Sequence, residues 1–334
     1  MKPIKVCFIS LKSYPLFVKN SLDYFGGAEV QMSLIARELA KDKRFGVSLI
    51  TGDYSQPPII KQGRVTLLKT KLIDFLTVLK TVDADVYVER TINPKVLLVG
   101  WWCRLFKKKF AYMVAHDWDC AYFRLKLANL IIAQHQLQSF ALKQNLKLKS
   151  LVMPSLIKMK TEEKTLRRQY ILWVGRADKW KNPLKFLDLA RHYSQEKFVM
   201  ICRQGKNKAL FNLVKNQAKS LTNLSFVPAV SAEKISTFFL QAKILVNTSI
   251  AEGFPNTFLQ AGAARTPVLS FKVNPDSYII RYQCGLIGDK RLKEILNNPA
   301  GLKTMGRNHY DYVKKYHGLK NIDILKQGLL NLIQ

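Results

Sequence analysis

The sequence predicts an α/β protein built from two doubly wound domains. Short apolar, β-branched segments typical of buried strands alternate with helical patterns along most of the chain. At 334 residues, the chain is long enough for two domains of ordinary size. Its 48% content of hydrophobic residues supplies the material for buried sheets and argues against wholesale disorder.

The predicted elements follow one another in a regular alternation. Strands of the first domain are predicted at 5–10, 45–51, 65–69, 85–89, 110–115, 129–133 and 150–154. Strands of the second domain are predicted at 170–175, 198–202, 224–228, 244–249 and 267–271. The clearest helix spans 28–41, where the apolar residues fall on one face. Such alternation predicts parallel sheets with right-handed crossovers.

Composition places the boundary between the two domains. The polar segment TEEKTLRRQ (161–169) interrupts the pattern and is predicted to be a linker. Residues 1–160 therefore form the first predicted domain, and residues 170–308 form the second.

The formal charge of +31 comes from 54 Lys and Arg residues against 23 acidic residues. Three hypotheses explain it: a nucleic-acid surface, an anionic membrane surface, or a basic exterior. The sequence contains no helix-turn-helix, zinc-finger or RNP signature, so no nucleic-acid partner is predicted.

The cysteines and apolar segments bear on the cellular compartment. Five scattered cysteines without a CxxC pair predict reduced thiols in the cytoplasm, and no metal site is predicted. The apolar run before Lys12 is too short for a signal peptide and is predicted to be the first strand. No segment reaches the roughly 18 apolar residues of a membrane span.

The segment EGFPNTFLQ (252–260) combines a carboxylate, a turn and a helix start. It follows the predicted strand 244–249, and Asn256 or Thr257 is predicted to cap the next helix. Glu252 is therefore expected in a loop at the carboxyl end of a strand, where open α/β sheets bind ligands. A carboxylate there suits sugar hydroxyls, and backbone amides at a helix start suit phosphate.

Gln260 lies eight positions after Glu252, which corresponds to about two helical turns, and is predicted to face the same side. Its amide can hydrogen-bond a ribose diol. The alternative is an ordinary exposed helix residue.

The segment GRADKWKNP (175–183) follows another predicted strand. Arg176 and Lys181 are expected in a loop at its carboxyl end, with Asn182 as helix N-cap and Pro183 as the first helical residue. Two cations beside a helix N-terminus form a cradle for a diphosphate. The alternative is a basic loop on a basic protein, but the position favours a binding site.

A glycine pair precedes the helix 28–41. Gly26 and Gly27 allow close approach of the backbone to a ligand, and the helix start offers N–H groups to an anion. A flexible turn is the alternative.

The segment HDWD (116–119) follows the predicted strand 110–115. His116 can donate or accept a hydrogen bond to a sugar, and a structural histidine is the alternative. Asp117 and Asp119 are predicted to cap the following helix. The alternative, a metal-binding pair, is discounted because no third ligand is evident.

In this order, GGAE, HDWD, GRxxxxKNP and EGFPNTFLQ resemble the motifs of family-4 retaining glycosyltransferases, which have the GT-B fold. The resemblance covers nearly the whole chain. It implies two Rossmann-like domains facing a cleft, with a nucleotide-sugar donor held mainly by the C-terminal domain and the acceptor by the N-terminal domain. It also implies that a last helix, within 309–334, crosses back to the N-terminal domain.

The resemblance implies roles for individual residues of the C-terminal domain. Arg176 and Lys181 match the family's diphosphate-binding pair, and Glu252 matches the residue that contacts the donor sugar. Backbone contacts to the donor are implied for Phe254, Pro255 and Asn256. Gln260 falls where the family binds ribose hydroxyls.

The remaining implied contacts involve the base and the N-terminal domain. The base is expected near Val227 to Val230. Gly27 matches the glycine that lies against the diphosphate, and His116 matches the histidine near the donor sugar. His116, Glu252, Arg176 and Lys181 are therefore the predicted catalytic set.

Three features depart from the family pattern. Gln260 replaces the second Glu of the family's E-x7-E signature, and Pro228 replaces a usual glycine. The family's Gly-rich stretch after the next strand is replaced by KVNPDSYIIRYQ (272–283).

The mechanism that these residues imply is electrostatic. Arg176, Lys181 and helix amides are expected to stabilise the departing diphosphate without a metal or a cofactor other than the donor substrate. Attack on the same face of the sugar is favoured, with the leaving phosphate helping to deprotonate the acceptor. A nucleotide-sugar epimerase and a non-catalytic GT-B scaffold are the alternatives.

The acceptor is expected to be a glycan or a lipid-linked sugar of cell-surface polysaccharide or glycolipid synthesis. The helix predicted at 94–109 joins Leu97, Leu98, Trp101 and Trp102 to a lysine run, as an interfacial helix would. A core-packed crossover helix is the alternative. An anionic membrane surface is thus an expected partner, and the expected location is the cytoplasm, at the inner face of the plasma membrane.

Overall fold

The computed structural model describes residues 2–18, 21, 23, 25–90, 92–159 and 167–334. It divides into two compact units: an N-terminal unit of Met1–Ile157 with Leu319–Gln334, and a C-terminal unit of Lys158–Gly318. Each unit is built on a sheet whose strands are mainly parallel. The predicted fold class of two doubly wound α/β domains is therefore confirmed.

The sheet of the N-terminal unit has the order β3-β4-β2-β1-β5-β6-β7-β8. Its strands are β1 (Ile4–Ile9), β2 (Phe45–Thr51), β3 (Ile59–Gln62), β4 (Val65–Lys69), β5 (Val86–Glu89), β6 (Lys109–Met113), β7 (Leu130–Ala133) and β8 (Leu151–Val152). All neighbours pair in parallel except β3 with β4. The sequence did not predict β3, because this edge strand is largely exposed and lacks an apolar run.

Helices of the N-terminal unit cover both faces of this sheet. They are α1 (Gly27–Leu39), α2 (Phe75–Val82), α3 (Lys95–Leu105), α4 (Gln136–Leu146) and α12 (Ile322–Ile333). Helices α1 and α12 share a buried cluster with Val6 and Phe8, whereas α2, α3 and α4 share one with Cys7 and Ile9. Because alternate residues of β1 enter the two clusters, the strand is buried on both sides.

The sheet of the C-terminal unit is parallel throughout and has the order β11-β10-β9-β12-β13-β14. Its strands are β9 (Tyr170–Arg176), β10 (Phe198–Arg203), β11 (Leu224–Val227), β12 (Ala242–Asn247), β13 (Val268–Ser270) and β14 (Gly285–Ile287). The helices are α5 (Leu184–His192), α6 (Lys208–Lys219), α7 (Ile235–Gln241), α8 (Asn256–Ala263), α9 (Tyr278–Arg281), α10 (Leu292–Leu296) and α11 (Pro299–Tyr316).

The boundaries of the units differ from the predicted ones. Helix α11 continues unbroken through 309, so the chain rejoins the N-terminal unit at Leu319 rather than at 309. Residues 161–166 of the predicted linker lie outside the described residues. Arg168, near the end of that predicted linker, donates to the carbonyls of Phe239 and Ala242 and thus belongs to the C-terminal unit.

The helix predicted at 94–109 is shorter in the structure. Helix α3 ends at Leu105, because Lys107 adopts a left-handed φ of 53° and Lys109 already starts β6. Val96, Val99 and Cys103 face the core, whereas Trp101 and Leu105 are exposed. The helix is therefore a crossover helix that also presents an apolar outer side.

Among the described residues, no helix combines the length and the apolar character needed to cross a bilayer. The five cysteines are buried and free. Burial raises the pKa of each thiol to about 12, which keeps the thiols protonated at neutral pH.

Candidate functional site

Four strands of the C-terminal unit end side by side in the order β11, β10, β9, β12. We call the side of the sheet where its parallel strands end the carboxyl edge. Arg203 and Arg176 are register partners at the ends of β10 and β9. Arg203 also donates from Nη2 to the carbonyl of Val230, which follows β11. The structure thus gathers the predicted residues Val230 and Arg176 along one edge.

Arg176 is held from two sides. Its Nη2 lies 2.8 Å from Oδ2 of Asp178, and its guanidinium carbon lies 5.6 Å from the centroid of the Trp180 ring. Asp178 is only 3% exposed, and a Cβ at Gly205 would collide with its carboxylate. Glycine at 205 therefore leaves room for the carboxylate that orients Arg176.

Lys181 and Glu252 form an ion pair in which Lys181 Nζ donates to Glu252 Oε1. The same oxygen accepts a hydrogen bond of 2.9 Å from Ser249 Oγ. Glu252 is 5% exposed and Lys181 is 20% exposed. The sequence predicted a site role for each residue, and the structure adds that each neutralises the other.

Thr248 connects this ion pair to the sheet. Its hydroxyl accepts from Trp173 Nε1 at 2.9 Å and donates to the carbonyl of Lys181 at 2.6 Å. The Ile250 amide also donates to the carbonyl of Trp180 at 2.8 Å. These bonds join the loop after β9 to the loop after β12, so the cation and the carboxylate are positioned together.

Both predicted helix caps are displaced by one or two residues. Lys179–Lys181 form a 3-10 turn and Asn182 adopts a left-handed φ of 48°, so α5 starts at Leu184 with Pro183 at the cap position. Pro255 occupies the cap position of α8, which begins at Asn256. The predicted capping side chains are wrong at both helices, because a proline occupies each cap.

The predicted geometric relation between Glu252 and Gln260 is also wrong. Residues 252–255 are not helical, so the two residues are not separated by two helical turns. Gln260 lies one turn after Asn256 on α8, on the same helix face, and is half-buried.

Phe254 turns its side chain into an aromatic cluster. Its ring lies 5.2 Å from that of Tyr278 and 4.4 Å from that of His317. His309 completes this cluster, with Nδ1 donating to the Thr266 carbonyl at 2.8 Å. Burial lowers the pKa of His309 to about 4. Since the Phe254 ring is buried there, only its backbone can face a ligand, as the resemblance implies.

Gly27 is the first residue of α1, after Gly26 at the cap position. The Gly26 N–H donates to Glu29 Oε2 at 2.8 Å, and a Cβ at Gly26 would lie 2.7 Å from the same oxygen. A carboxylate of the protein itself therefore already satisfies one amide of this helix start.

His116 follows β6 and stacks on Trp118, with ring centroids 4.8 Å apart. Asp119 Oδ2 accepts from the backbone N–H groups of Ala115 and His116 at 2.9 and 3.1 Å. Burial nevertheless raises the pKa of Asp119, and the hydrogen bonds only partly offset that effect. The interpretation of Asp119 as a local cap agrees with these bonds.

Asp117 binds side chains at the start of α4. Its Oδ1 lies 3.2 Å from His135 Nε2 and accepts from Gln138 Nε2 at 3.0 Å. No group of three or more His, Cys or acidic side chains placed to hold a metal occurs in the part of the chain that the structure describes.

The sequence-based prediction missed two ionisable residues at the carboxyl edge of the N-terminal sheet. Glu89 ends β5 and is 2% exposed, and Arg90 follows it at 5% exposure. Within the described residues, Glu89 Oε2 and Arg90 Nε are buried without a hydrogen-bond partner. Burial raises the pKa of Glu89 to about 8, with Lys95 acting in the opposite direction, and burial lowers the pKa of Arg90 to about 10.

Arg203 and Asp178 were missed as well. Each lies at or just after the end of a predicted strand, the same signal that identified Arg176. Applying that signal to every strand would have found Arg203, Glu89 and Arg90.

Comparisons with known proteins agree with this geometry. Residues 157–308 match the family model described as glycosyl transferases group 1. A search of curated protein sequences gives no significant match.

Solved structures resemble the whole chain at low sequence identity. Sucrose-phosphate synthase from Thermosynechococcus elongatus has a TM-score of 0.76 and 16% identity, with 98% of each chain covered. Trehalose-6-phosphate synthase OtsA has a TM-score of 0.74 and 12% identity, with 99% of each chain covered. A TarM variant from S. aureus has a TM-score of 0.60 and 15% identity over 78% of this chain and 58% of that chain.

At such identities the structural likeness shows the fold, and the family model adds the kind of enzyme. The predicted GT-B fold and the predicted family are both confirmed. The protein is a glycosyltransferase with the GT-B fold, and its residues 157–308 match the model of glycosyl transferases group 1.

Proposed function

We propose that the protein transfers a sugar, with retention of configuration and without a metal, from a nucleotide-diphosphate donor to a glycan or lipid-linked acceptor. The observation that carries this proposal is the row of Arg203, Arg176, Lys181 and Glu252 along the carboxyl edge of the C-terminal sheet. Three cations and one carboxylate match a diphosphate followed by a sugar with free hydroxyls.

The cations would act on the leaving group. Cleavage of the sugar–phosphate bond builds negative charge on the departing diphosphate, and preorganised charges there lower the barrier. Arg176 is already oriented by Asp178 and Trp180, so little reorganisation is needed when the donor binds. Lys181 would shift from Glu252 toward the diphosphate, while Glu252 accepts hydrogen bonds from the sugar.

The proposed retention of configuration rests on the resemblance to retaining glycosyltransferases, and the surroundings of Glu252 argue against a double displacement as its route. The side chains bonded to its Oε1 are Lys181 and Ser249, and neither is a second acid that could share a double displacement. We therefore favour attack on the same face, with the leaving phosphate accepting the proton of the acceptor hydroxyl.

Other predicted residues complete the donor site in this proposal. Gln260 on α8 would bind the ribose, and Val230 would lie near the base. Backbone groups of Phe254, Pro255 and Asn256 would contact the donor. Gly27 and His116 of the N-terminal unit keep the roles that the family resemblance implies for them, toward the diphosphate and the donor sugar respectively.

The donor class also has support from a structural neighbour. The TarM variant was solved with UDP, alpha-GlcNAc-glycerol and fondaparinux. No nucleic-acid partner and no further cofactor are proposed. The five free, buried cysteines support a cytoplasmic location, where thiols stay reduced.

The test is turnover of a panel of nucleotide-diphosphate hexoses with a lipid-linked or glycan acceptor, followed by NMR of the anomeric proton. We expect release of the nucleoside diphosphate and a product with the anomeric configuration of the donor. Inversion of configuration would contradict retention. A changed sugar formed from donor alone would instead identify an epimerase, and binding without any turnover would identify a scaffold.

A further inference from the structure

The outer side of one helical layer in the N-terminal unit is unusually apolar. This layer consists of α2, α3, the 3-10 segments 117–121 and 123–127, and α4, with the loop 70–74 that precedes α2. Among the described residues, 18 large hydrophobic side chains are exposed; ten of them lie on this layer, and two more, Phe106 and Tyr122, directly follow its elements. We call this surface the α2–α4 face.

The exposure of individual side chains is high. Ile73 is 95% exposed, Leu72 79%, Leu105 76%, Phe123 66% and Phe140 61%. Their neighbours in sequence fill the core: Phe75, Cys103, Leu125 and Leu142 are at most 2% exposed. Because the same elements supply both sets, the outward residues are a second apolar surface and not part of an incompletely packed core.

The elements that carry this surface adjoin one another. Lys95 of α3 lies over the Phe75 ring of α2 at 5.7 Å, and Gly100 of α3 packs against Leu127, where a Cβ would lie 2.9 Å from that side chain's own Cβ. Asp117 in turn bonds Gln138 of α4 at 3.0 Å. The exposed apolar side chains therefore belong to one continuous layer.

The opposite layer of the same unit provides an internal comparison. Helices α1 and α12 bury their apolar residues against the sheet, and of the described residues on these two helices only Ile333, at 39%, is an exposed large hydrophobic. Exposed apolar side chains are therefore a property of one layer and not of the unit as a whole.

Cations are interspersed with these apolar residues. The side chains of Lys71, Lys107, Lys126 and Lys143 are exposed on this layer, and Arg104 lies 5.8 Å from the Trp101 ring. The exposed acids on this layer are engaged: Asp83 pairs with Lys108 at 2.7 Å, and Asp117 binds α4. The face therefore combines aromatic and aliphatic groups with positive charge.

That combination selects among possible partners. The buried cores of protein–protein interfaces are depleted of lysine, because desolvating its ammonium group is costly. At a bilayer surface, aromatic and aliphatic groups enter the interfacial region while lysine and arginine remain near anionic headgroups. We propose that the α2–α4 face docks on an anionic phospholipid bilayer.

This docking would place the protein at the surface that carries a lipid-linked acceptor, and in that respect it deepens the proposed function. The docking itself depends only on the N-terminal unit. The test of docking uses vesicles without any sugar donor. A failure to dock would therefore not bear on donor binding or sugar transfer, which the turnover assay measures.

The experiment is co-sedimentation of the full chain with vesicles of phosphatidylglycerol and phosphatidylcholine, compared with phosphatidylcholine alone. The test variant combines Ile73→Ser, Leu105→Ser and Phe123→Ser, three highly exposed positions whose replacement leaves the core intact. The control is Leu213→Ser on α6, which removes an exposed leucine of the C-terminal unit. Circular dichroism and thermal melting confirm that each variant is folded.

We expect the wild type and the control to bind the anionic vesicles alike, and the triple variant to bind at least about tenfold more weakly. Raising the salt concentration should weaken wild-type binding, because the lysines interact with headgroups through a screened potential. Unchanged binding of the triple variant would overturn the proposal. A wild type that dimerises through this face, ignores vesicles and becomes monomeric in the triple variant would also overturn it, in favour of self-association.

Discussion

The carboxyl edges of the two sheets hold their charges in opposite ways. In the C-terminal unit, Arg176 is paired with Asp178 and Lys181 with Glu252. In the N-terminal unit, Glu89 and Arg90 are buried, and neither Glu89 Oε2 nor Arg90 Nε has a hydrogen-bond partner among the described residues. Each group of a pair has an oppositely charged partner that a ligand could replace, whereas burial without a partner favours the neutral form of an acid.

The charged groups at the two carboxyl edges therefore have different partners. The C-terminal edge keeps cations and a carboxylate in place, as the proposed diphosphate site requires. The N-terminal edge instead satisfies backbone amides with its own carboxylates, Glu29 at the start of α1 and Asp119 after β6. The predictions below test this contrast, from the largest expected effect to the smallest.

The largest effect is expected for Lys181→Met. Loss of one preorganised charge at the leaving group should lower kcat by about 1,000-fold. The variant should also unfold more easily, by about 3–5 kcal/mol, because Glu252 would remain buried without its partner. Steady-state kinetics and urea unfolding measure the two effects separately.

Two further variants separate charge from folding. Lys181→Met combined with Glu252→Gln should regain most of the lost stability but no activity. Lys179→Met removes an exposed cation from the same 3-10 turn and should behave like the wild type. Turnover of the Lys181→Met variant within tenfold of the wild type would contradict the proposed role of this lysine.

A second prediction concerns Glu89 and the N-terminal unit. Its pKa of about 8 in the folded state exceeds the value of 4.5 expected for an unperturbed Glu. The associated stability is complete below about pH 4.5 and is lost as pH rises through 8, a change on the order of 5 kcal/mol. Hydrogen exchange of β5 amides should therefore speed up between these pH values. In Glu89→Gln, the exchange rate of these amides should change less with pH. If it changes as much as in the wild type, Glu89 is not the cause of the pH dependence.

The C-terminal unit should respond to pH in the opposite direction through His309. Its pKa is about 4 in the folded state against 6.5 for an unperturbed His. The contribution of neutral His309 to the free energy of unfolding is complete above about pH 6.5. It is lost as pH falls toward 4, by about 3 kcal/mol. Urea unfolding at several pH values measures how the free energy of unfolding changes with pH. His309→Gln should reduce this change, whereas His192→Gln, at an exposed position, should not. Equal slopes in both variants would argue against this assignment.

The smallest effect is expected for Thr248→Val, which keeps the shape of the side chain and removes its hydroxyl. The change breaks the link between Trp173 and the Lys181 carbonyl and should cost about 1–3 kcal/mol of stability. Because Lys181 would be held less firmly, kcat should fall about tenfold while Kd for the donor changes little. Thr304→Val on α11 is the matched control. Normal kcat in Thr248→Val would show that this bridge does not position the lysine.

The sequence predicted most of the parallel strands, because apolar β-branched runs report burial directly. It missed β3 and β14, which are short and end their sheets, where such runs are absent. It also placed Arg176, Lys181 and Glu252 correctly at strand ends, since the position after a strand is readable from the pattern.

The details of the site depended on contacts that a linear pattern does not contain. The Lys181–Glu252 pair joins residues far apart in sequence, and the Thr248 bridge requires the register of β9 with β12. The Gln260 prediction assumed helix where the chain turns at Pro255. The pKa of Glu89 depends on its burial, which only the packed unit reveals.

The most direct test of the central claim is the shift in thermal unfolding temperature caused by a panel of nucleoside diphosphates. A ligand that binds only the folded state raises this temperature, and the rise grows with the logarithm of ligand concentration divided by Kd. We expect at least one nucleoside diphosphate to raise it in the wild type and in Lys179→Met, with no shift in an Arg176→Gln variant combined with Lys181→Met and Glu252→Gln. An equal shift in that combined variant, or no shift with any nucleoside diphosphate, would contradict the assignment of this edge as the donor site.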